Sequence, residues 1–364
     1  MPPFIKGLVL CELFYGEAVR PVLGAHFPQI AHSAGRLDSG SDVLGFDTPR
    51  SMDHDWGPKV TLFVSEADYA RHNAEIVQVL AERLPLEIAG YSTNYGGLGE
   101  RVRYLQPIDH GPVAHLVTVT TTARFFTEYI GLDPSQPIRE VDWLSIPQQR
   151  LRTVASGKVF HDGLNVLEAA RSTLSWYPRD VWLHLLACQW RRIDQEEPFM
   201  GRCGDVGDEL GSRLVAARQV NELMRLCFLI ERQYVPYTKW FGSAFAQLAC
   251  AAEITPLLHR VLNSATWRER EQHLAAAYLA LARMHNALSL TRPIEPQVTP
   301  FFDRPYLVLH SGDYVEALYE AIQSPAVRAL PQYVGAVGQF VDSTDVLDSI
   351  ARCRALTAIY ERKR

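Results

Sequence analysis

Residues 40–64 read GSDVLGFDTPRSMDHDWGPKVTLFV. The Gly-Ser pair at the start, Gly40-Ser41, forms a turn that can offer backbone N–H groups and a hydroxyl to phosphate oxygens. Two aspartates, Asp53 and Asp55, stand just before the β-branched run at 59–64, which is strand-like. Residues i and i+2 share a face of a strand, so we predict that the two carboxylates converge on one point. Two hard oxygen ligands that face phosphates are suited to Mg²⁺.

The sequence around this stretch predicts a mixed sheet with helices. The spacing of apolar residues predicts a helix over 4–23, and Ser65, followed by acids, opens a long helix that Pro85 stops. Residues 86–91 and 113–122 are further strand candidates. The polar stretch 33–51 and the Gly-rich stretch 95–99 separate these elements. His161-Asp162 is expected in a loop, with no third ligand nearby for a metal.

The second part of the chain is predicted to be helical. Apolar stripes indicate helices at 180–193, 210–234, 242–258 and 267–287, and a proline-rich stretch at 290–305 interrupts them. Shorter helices are predicted at 314–323 and 346–361. The fold class is therefore α+β, with an N-terminal mixed sheet followed by a C-terminal α-helical bundle lobe.

Composition and charge exclude several classes of protein. The chain has 364 residues, of which 47% are hydrophobic and 21% charged, so it can bury a large core. Its net charge of −5 disfavours a generally basic nucleic-acid binder. The sequence shows no apolar run of membrane-span length, and Glu12 and Glu17 come too early for a secretory signal, so we expect a cytoplasmic protein without a membrane partner. The six cysteines fit no zinc spacing and are expected in the core.

The Gly-Ser and Asp-x-Asp pattern resembles the signature of the nucleotidyltransferase superfamily, which has the fold of polymerase β and of aminoglycoside nucleotidyltransferases. Ser41 and Asp53 are twelve positions apart, and Gly45 and Ser51 also match. Further segments resemble a bacterial nucleotidyltransferase-like family with a domain of unknown function; they are 53–58, 177–182, 189–193, 201–202, 207–212 and 236–240. The resemblance implies a catalytic domain at 1–135 and an α-helical substrate-binding lobe with a helical tail at 136–364.

The resemblance also implies a reaction. AMP would be transferred from ATP to an acceptor hydroxyl of a small molecule, and pyrophosphate would be released. Asp53 and Asp55 would be the catalytic acids and would hold Mg²⁺, while Gly40 and Ser41 would cradle phosphates. Lys239, with Arg213, would neutralise the leaving pyrophosphate. Lys239 beside Trp240 equally fits a surface cation–π pair.

Four acids in the helical part are expected to bind the acceptor; they are Glu196, Glu197, Asp205 and Asp208. Carboxylates would suit a cationic sugar. The same charges equally fit a solvated helix with surface salt bridges.

One position departs from the superfamily pattern. A third carboxylate is usual on a later strand, and here Thr118 fills that position in Val117-Thr118-Val119. The valines suit the core, so Thr118 should point outward. Asp109 or Glu100 could substitute, or the protein could be a catalytically weakened nucleotide-binding or sensing protein. A third alternative is an enzyme that nucleotidylates a protein or RNA, although the chain lacks a basic run for RNA.

Overall fold

The computed structural model describes residues 2–97, 99 and 102–361. Its α-helices are α1 (Gly7–Phe14), α2 (Arg20–His26), α3 (Glu66–Arg83), α4 (Thr122–Ile130), α5 (Glu140–Ser145), α6 (Gln148–Ser156), α7 (Leu167–Thr173), α8 (Arg179–Asp194), α9 (Phe199–Asp205), α10 (Glu209–Ile230), α11 (Phe241–Phe245), α12 (Ala251–Asn263), α13 (Trp267–Ala287), α14 (Gly312–Ala321), α15 (Pro325–Arg328), α16 (Val337–Phe340), α17 (Thr344–Leu347) and α18 (Ile350–Ala355). Its strands are β1 (His32–Arg36), β2 (Lys59–Val64), β3 (Glu87–Ile88), β4 (Tyr91–Ser92), β5 (Tyr95–Gly96), β6 (Tyr104–Leu105), β7 (Leu116–Thr120), β8 (Lys158–Asp162), β9 (Thr299–Phe301) and β10 (Arg304–Val308).

The chain divides into two compact units. The first comprises Met1–Ile138 and Gln149–Ser175, and the second comprises Arg139–Gln148 and Trp176–Arg364. Residues 149–175 therefore belong with the N-terminal unit, although the sequence indicated a boundary between 135 and 136. The reason is that β8, which lies in this segment, pairs with β1.

The main sheet of the first unit has the order β7-β2-β1-β8 within the described residues. Strand β2 is antiparallel to β1 and parallel to β7, and β8 is antiparallel to β1. Leu62, Val117 and Val119 of this sheet lie in one buried apolar cluster with Phe14 and Leu80 of the helices. The α+β class is confirmed, because a mixed sheet with helices precedes a largely helical second unit.

Several elements follow the sequence pattern closely. Strand β2 covers the expected 59–64, and α3 begins after Ser65, whose Oγ accepts a hydrogen bond from the Asp68 N–H at 3.0 Å. Helix α13 covers the expected 267–287. Two other expectations were wrong: His161-Asp162 lies on β8 and not in a loop, and part of the polar stretch 33–51 is β1.

The second unit packs its helices through buried aromatic side chains. On α8, Trp182 donates its indole N–H to the Leu229 carbonyl at 2.8 Å, and Trp190 bonds to His285 of α13 at 3.1 Å. The helix expected over 242–258 is two helices, α11 and α12. The β9–β10 hairpin begins within the proline-rich interruption and ends just after it, at Val308.

In the part of the chain that the structure describes, no helix has both the length and the apolar character needed to cross a bilayer.

Candidate functional site

Asp47 and Trp56 anchor the loop between β1 and β2 to the first helix. The Asp47 Oδ2 atom accepts hydrogen bonds from the Gly7 N–H at 2.6 Å and from the Trp56 indole at 3.1 Å. Trp56 is buried and stacks on Phe4, with 5.8 Å between ring centroids. Both residues therefore have a structural role, and they fix the chain just before it enters β2.

The Gly40-Ser41 turn leaves consecutive backbone donors without a partner. Phe46 donates its N–H to the Ser41 carbonyl at 2.9 Å and closes the turn. Among the described residues, the amides of Ser41, Asp42 and Val43 donate to no acceptor. A Cβ at Gly40 would lie 1.9 Å from the Asp42 carboxylate, so the turn requires glycine there. Consecutive unpaired amides are suited to an anion.

A buried arginine stabilises this turn. Arg36 is 3% exposed, and its guanidinium forms ion pairs with Asp38 and with Asp42, the latter with 3.4 Å between Nε and Oδ2. It also donates to the Ser39 carbonyl at 2.9 Å. The ion pair favours the present position of the Asp42 carboxylate, which would have to shift to admit a larger residue at position 40.

Asp53 ends a 3₁₀ helix, Pro49–Asp53, and its side chain is 65% exposed. Its Oδ1 atom accepts a hydrogen bond from the His54 N–H at 3.0 Å and lies 3.0 Å from the His54 ring. Desolvation by itself would raise the pKa of Asp53, but these bonds to His54 outweigh it and lower that pKa. The carboxylate is therefore ionised and accessible at neutral pH.

Asp55 is held in a left-handed backbone conformation, with φ of 50°. Its N–H donates to the Arg103 carbonyl at 2.8 Å, and its Oδ1 lies 2.7 Å from the Arg103 Nε. The ammonium of Lys59 donates to the Asp55 carbonyl oxygen. Since the side chain is still 37% exposed, a ligand can reach the carboxylate.

Lys59 is a buried cation next to this turn. Burial and the charge of Arg36 lower its pKa to about 8, against the opposing effects of Asp42 and Asp55. The amino group is therefore mostly protonated at neutral pH. We did not predict from the sequence that Lys59 and Arg103 contact Asp55. For Lys59 a signal was present, because it begins the predicted strand that follows Asp-x-Asp.

The prediction that Asp53 and Asp55 share one face of a strand was wrong. Strand β2 begins at Lys59, so Asp53 and Asp55 both precede it, one in a 3₁₀ helix and the other left-handed. Alternation along a strand therefore does not apply to the two acids, and His54 between them is exposed and bonds to Asp53. The arrangement still presents two carboxylates, but loop contacts position them.

Thr118 takes the strand phase that the sequence predicts. It pairs with Thr61 in the parallel β2–β7 register and is exposed, while Val117 and Val119 are buried. Asp109 is exposed in the segment before β7, and Glu100 lies outside the described residues. Within the described residues there is no group of three or more His, Cys, Asp or Glu side chains that could hold a metal.

The two cations predicted from the helical part have local contacts. The Lys239 ammonium is exposed and lies 5.1 Å from the Trp240 ring centroid, which is the cation–π alternative. Arg213 forms an ion pair with Glu209 at 3.0 Å and donates to the Ala265 carbonyl at 3.4 Å. These contacts give Arg213 a structural role.

The four acids predicted to bind an acceptor also have local partners. They are Glu196, paired with Arg218 at 3.2 Å; Glu197, which is buried and accepts from the Ser311 hydroxyl and the His310 N–H; Asp205, which accepts from the Tyr306 hydroxyl at 3.1 Å; and Asp208, which caps α10 through the Gly211 N–H at 2.8 Å. The four carboxylates bond to different groups, all of which belong to the second unit.

Comparison with known proteins gives two similarities. Residues 143–241 match the profile of a domain of unknown function, DUF4037. A nucleotidyltransferase-like protein from Exiguobacterium sibiricum 255-15 is similar in structure, with 13% sequence identity and a TM-score of 0.29, over 79% of this chain and 82% of that one. The comparison with curated proteins found no match.

Proposed function

We propose that this protein is a nucleotidyltransferase that transfers a nucleoside monophosphate, AMP from ATP, to an acceptor hydroxyl of a small molecule. The observation that carries the proposal is the Asp53-His54-Asp55 turn. Its two carboxylates are accessible, and Asp55 is fixed by Arg103 and Lys59 in a conformation that non-glycine residues seldom adopt. Backbone strain of this kind is concentrated at functional sites.

The Gly40-Ser41 turn supplies the second part of the proposed site. Its unpaired amides suit the triphosphate. The buried charge of Arg36 offsets the negative charge of Asp42 beside the turn. The site therefore combines anion donors with carboxylates on one loop.

The residues present are compatible with Mg²⁺. This ion is usually bound by one or two carboxylates together with substrate phosphates and water, so a cluster of three protein ligands is not required. Asp53 and Asp55 would hold it. When bound, it would neutralise charge on the reacting phosphate. Arg103 and Lys59 would keep Asp55 in place, and Lys239 stays a proposed contact to the nucleotide.

A catalytically weakened, nucleotide-binding protein is the second candidate. The exposed Thr118 favours it, because threonine stands where superfamily enzymes usually carry a third carboxylate. Release of pyrophosphate from an NTP would distinguish the enzyme from the sensor, and the mass gained by the acceptor would distinguish a small molecule from a protein or RNA.

The first test is calorimetric titration of ATP with Mg²⁺ into the wild type and into Asp53→Asn and Asp55→Asn. We expect each substitution to weaken metal-dependent ATP affinity by about tenfold or more, because a charged ligand is lost.

The matched control is Glu87→Gln, which neutralises an exposed acid on β3 of the same unit. It should bind ATP as the wild type does. Equal metal-dependent affinity in the wild type and in both aspartate variants would refute the assignment.

A further inference from the structure

A groove of about 560 Å³ lies in the first unit and shares no lining residue with the 40–58 loop. Leu23, Phe27 and Ile30 contribute apolar surface to it, and Arg20 with two histidines contributes polar surface. The volume lies in the range of sites for small organic ligands, which are typically apolar with a few polar groups.

The two histidines, His32 and His161, come together because β1 pairs with β8. Their ring centroids are 5.1 Å apart, and the Tyr15 hydroxyl lies 3.0 Å from the His32 Nε2. A Cβ at Gly163 would lie 2.7 Å from the His161 Nε2, so glycine keeps space for that ring. Tyr15 itself begins a π-helical turn, Tyr15–Val19, a distortion that is frequent at functional sites.

The ionisable side chains that line this groove are all basic among the described residues. Of the described residues that line it, Arg20, His32 and His161 are basic and none is acidic. Arg20 forms no ion pair with any described residue. Burial, His161 and Arg20 together lower the pKa of His32, against a smaller effect of the Ile30 backbone. Arg20 is therefore the one permanently charged group among the described lining residues, and a negative group on a ligand would pair with it.

We propose that this groove binds a small organic anion. The charged group, a carboxylate or a phosphate, contacts Arg20 and His161. The body of the ligand is apolar and packs on Leu23, Phe27 and Ile30. This site is separate from the proposed nucleotide site, and it stands whether or not the chain transfers nucleotides.

The test uses ligand-observed NMR titration with three probes that share one ring system. 2-Naphthoate and 2-naphthyl phosphate carry the two anionic groups, and 2-naphthamide is the neutral match. We expect at least one anion to bind saturably, with an affinity about fivefold or more higher than that of the amide. The reason is that only the anions can form an ion pair with Arg20. The two anionic probes show which charged group the site prefers.

Gly24 offers a matched pair of variants that isolates charge. It lines the groove within α2, and a Cβ added there would meet nothing within 4 Å. Both Gly24→Gln and Gly24→Glu should fold, because they replace glycine in a helix. Gly24→Glu should weaken anion binding about tenfold relative to Gly24→Gln, since it adds a carboxylate beside the ligand.

Arg20→Gln and His161→Gln should each weaken anion binding and leave amide binding unchanged. Arg83→Gln, at the exposed end of α3, is the control and should bind like the wild type. Absence of saturable binding, equal affinity for anion and amide, or equal anion affinity in the Gly24→Gln and Gly24→Glu variants would each overturn the proposal.

Discussion

Asp55 adopts a left-handed conformation that costs a non-glycine residue on the order of 1 kcal/mol. Aspartate tolerates this region better than most residues, and the contacts from Arg103 and Lys59 compensate for the cost. The same contacts place the carboxylate at the surface. The position of Asp55 therefore depends both on Lys59, which is close to it in the sequence, and on Arg103, which is distant in the sequence.

Thr118→Glu tests the position of the missing third carboxylate. The side chain is exposed on the strand beside β2, so the variant should fold. It should raise Mg²⁺-dependent ATP affinity by about three- to tenfold, because it adds a hard anionic ligand.

Calorimetry would measure the effect, and Thr118→Gln is the neutral control, expected to match the wild type. No gain for glutamate over glutamine would mean that the metal lies elsewhere, and Asp109 would then be the next candidate.

Glu197→Gln should change how stability depends on pH. Burial, together with Asp194, raises the pKa of Glu197 to about 7, despite bonds from Ser311 and His310 that lower it. The unfolded carboxyl ionises near its ordinary value of 4.5, so the folded state holds the proton more tightly. Stability should therefore fall as pH rises from about 4.5 to 7.

The Glu197→Gln variant lacks this loss, and at pH 8 its free energy of unfolding should exceed that of the wild type by up to about 3 kcal/mol. Urea unfolding at pH 5 and pH 8 measures the difference. Glu196→Gln, which removes the neighbouring carboxylate paired with Arg218, should keep the wild-type pH dependence. A Glu197→Gln profile parallel to the wild type would contradict the account.

Some residues of the proposed site have a local sequence signal and others have none. The Asp-x-Asp and Gly-Ser pairs are local patterns, so sequence alone gives them a chemical interpretation. The contact between Arg103 and Asp55 depends on tertiary structure, and no spacing rule indicates it. The acids of the second unit stay a prediction, because helix caps and ion pairs use the same residue types as binding sites and their sequence pattern does not separate the two.

At the scale of elements, Asp47 couples α1 to β2. Asp47→Ala would leave the Gly7 N–H and the Trp56 indole buried without acceptors. We expect it to cost about 2–4 kcal/mol of unfolding free energy, from the lost helix cap and the unpaired donors.

Asp47→Asn, which keeps one side-chain oxygen, should cost less. Urea unfolding followed by tryptophan fluorescence would measure both variants. A loss below about 0.5 kcal/mol for alanine would show that the cap does not hold α1.

Elements with strong local signals were predictable, and short polar strands were not. β2 is a β-branched run, and α3 has a serine cap followed by acids, so residues within each element define it. β1 and β8 have five residues each and include Gly35 and charged side chains. Their stability comes from pairing with each other and with β2, which only the tertiary fold provides.

At the scale of the whole molecule, the chain passes between its two units more than once. Residues 139–148 belong to the second unit, and 149–175 return to the first. The sequence pattern indicates one change, from mixed sheet and helix to helix near residue 135, and gives no sign of such a return. The predicted class of sheet and helices was therefore confirmed, while the assignment of particular segments to units needed the structure.

The central claim is that Asp53 and Asp55 hold one divalent ion together with a triphosphate. Electron paramagnetic resonance of Mn²⁺ with ATP, in the wild type, both single asparagine variants and the double variant, tests it most directly. Ligands of one ion act as a unit, so each single variant should lose nearly as much bound Mn²⁺ as the double variant. Additive small losses, or bound Mn²⁺ unchanged in the double variant, would contradict the claim.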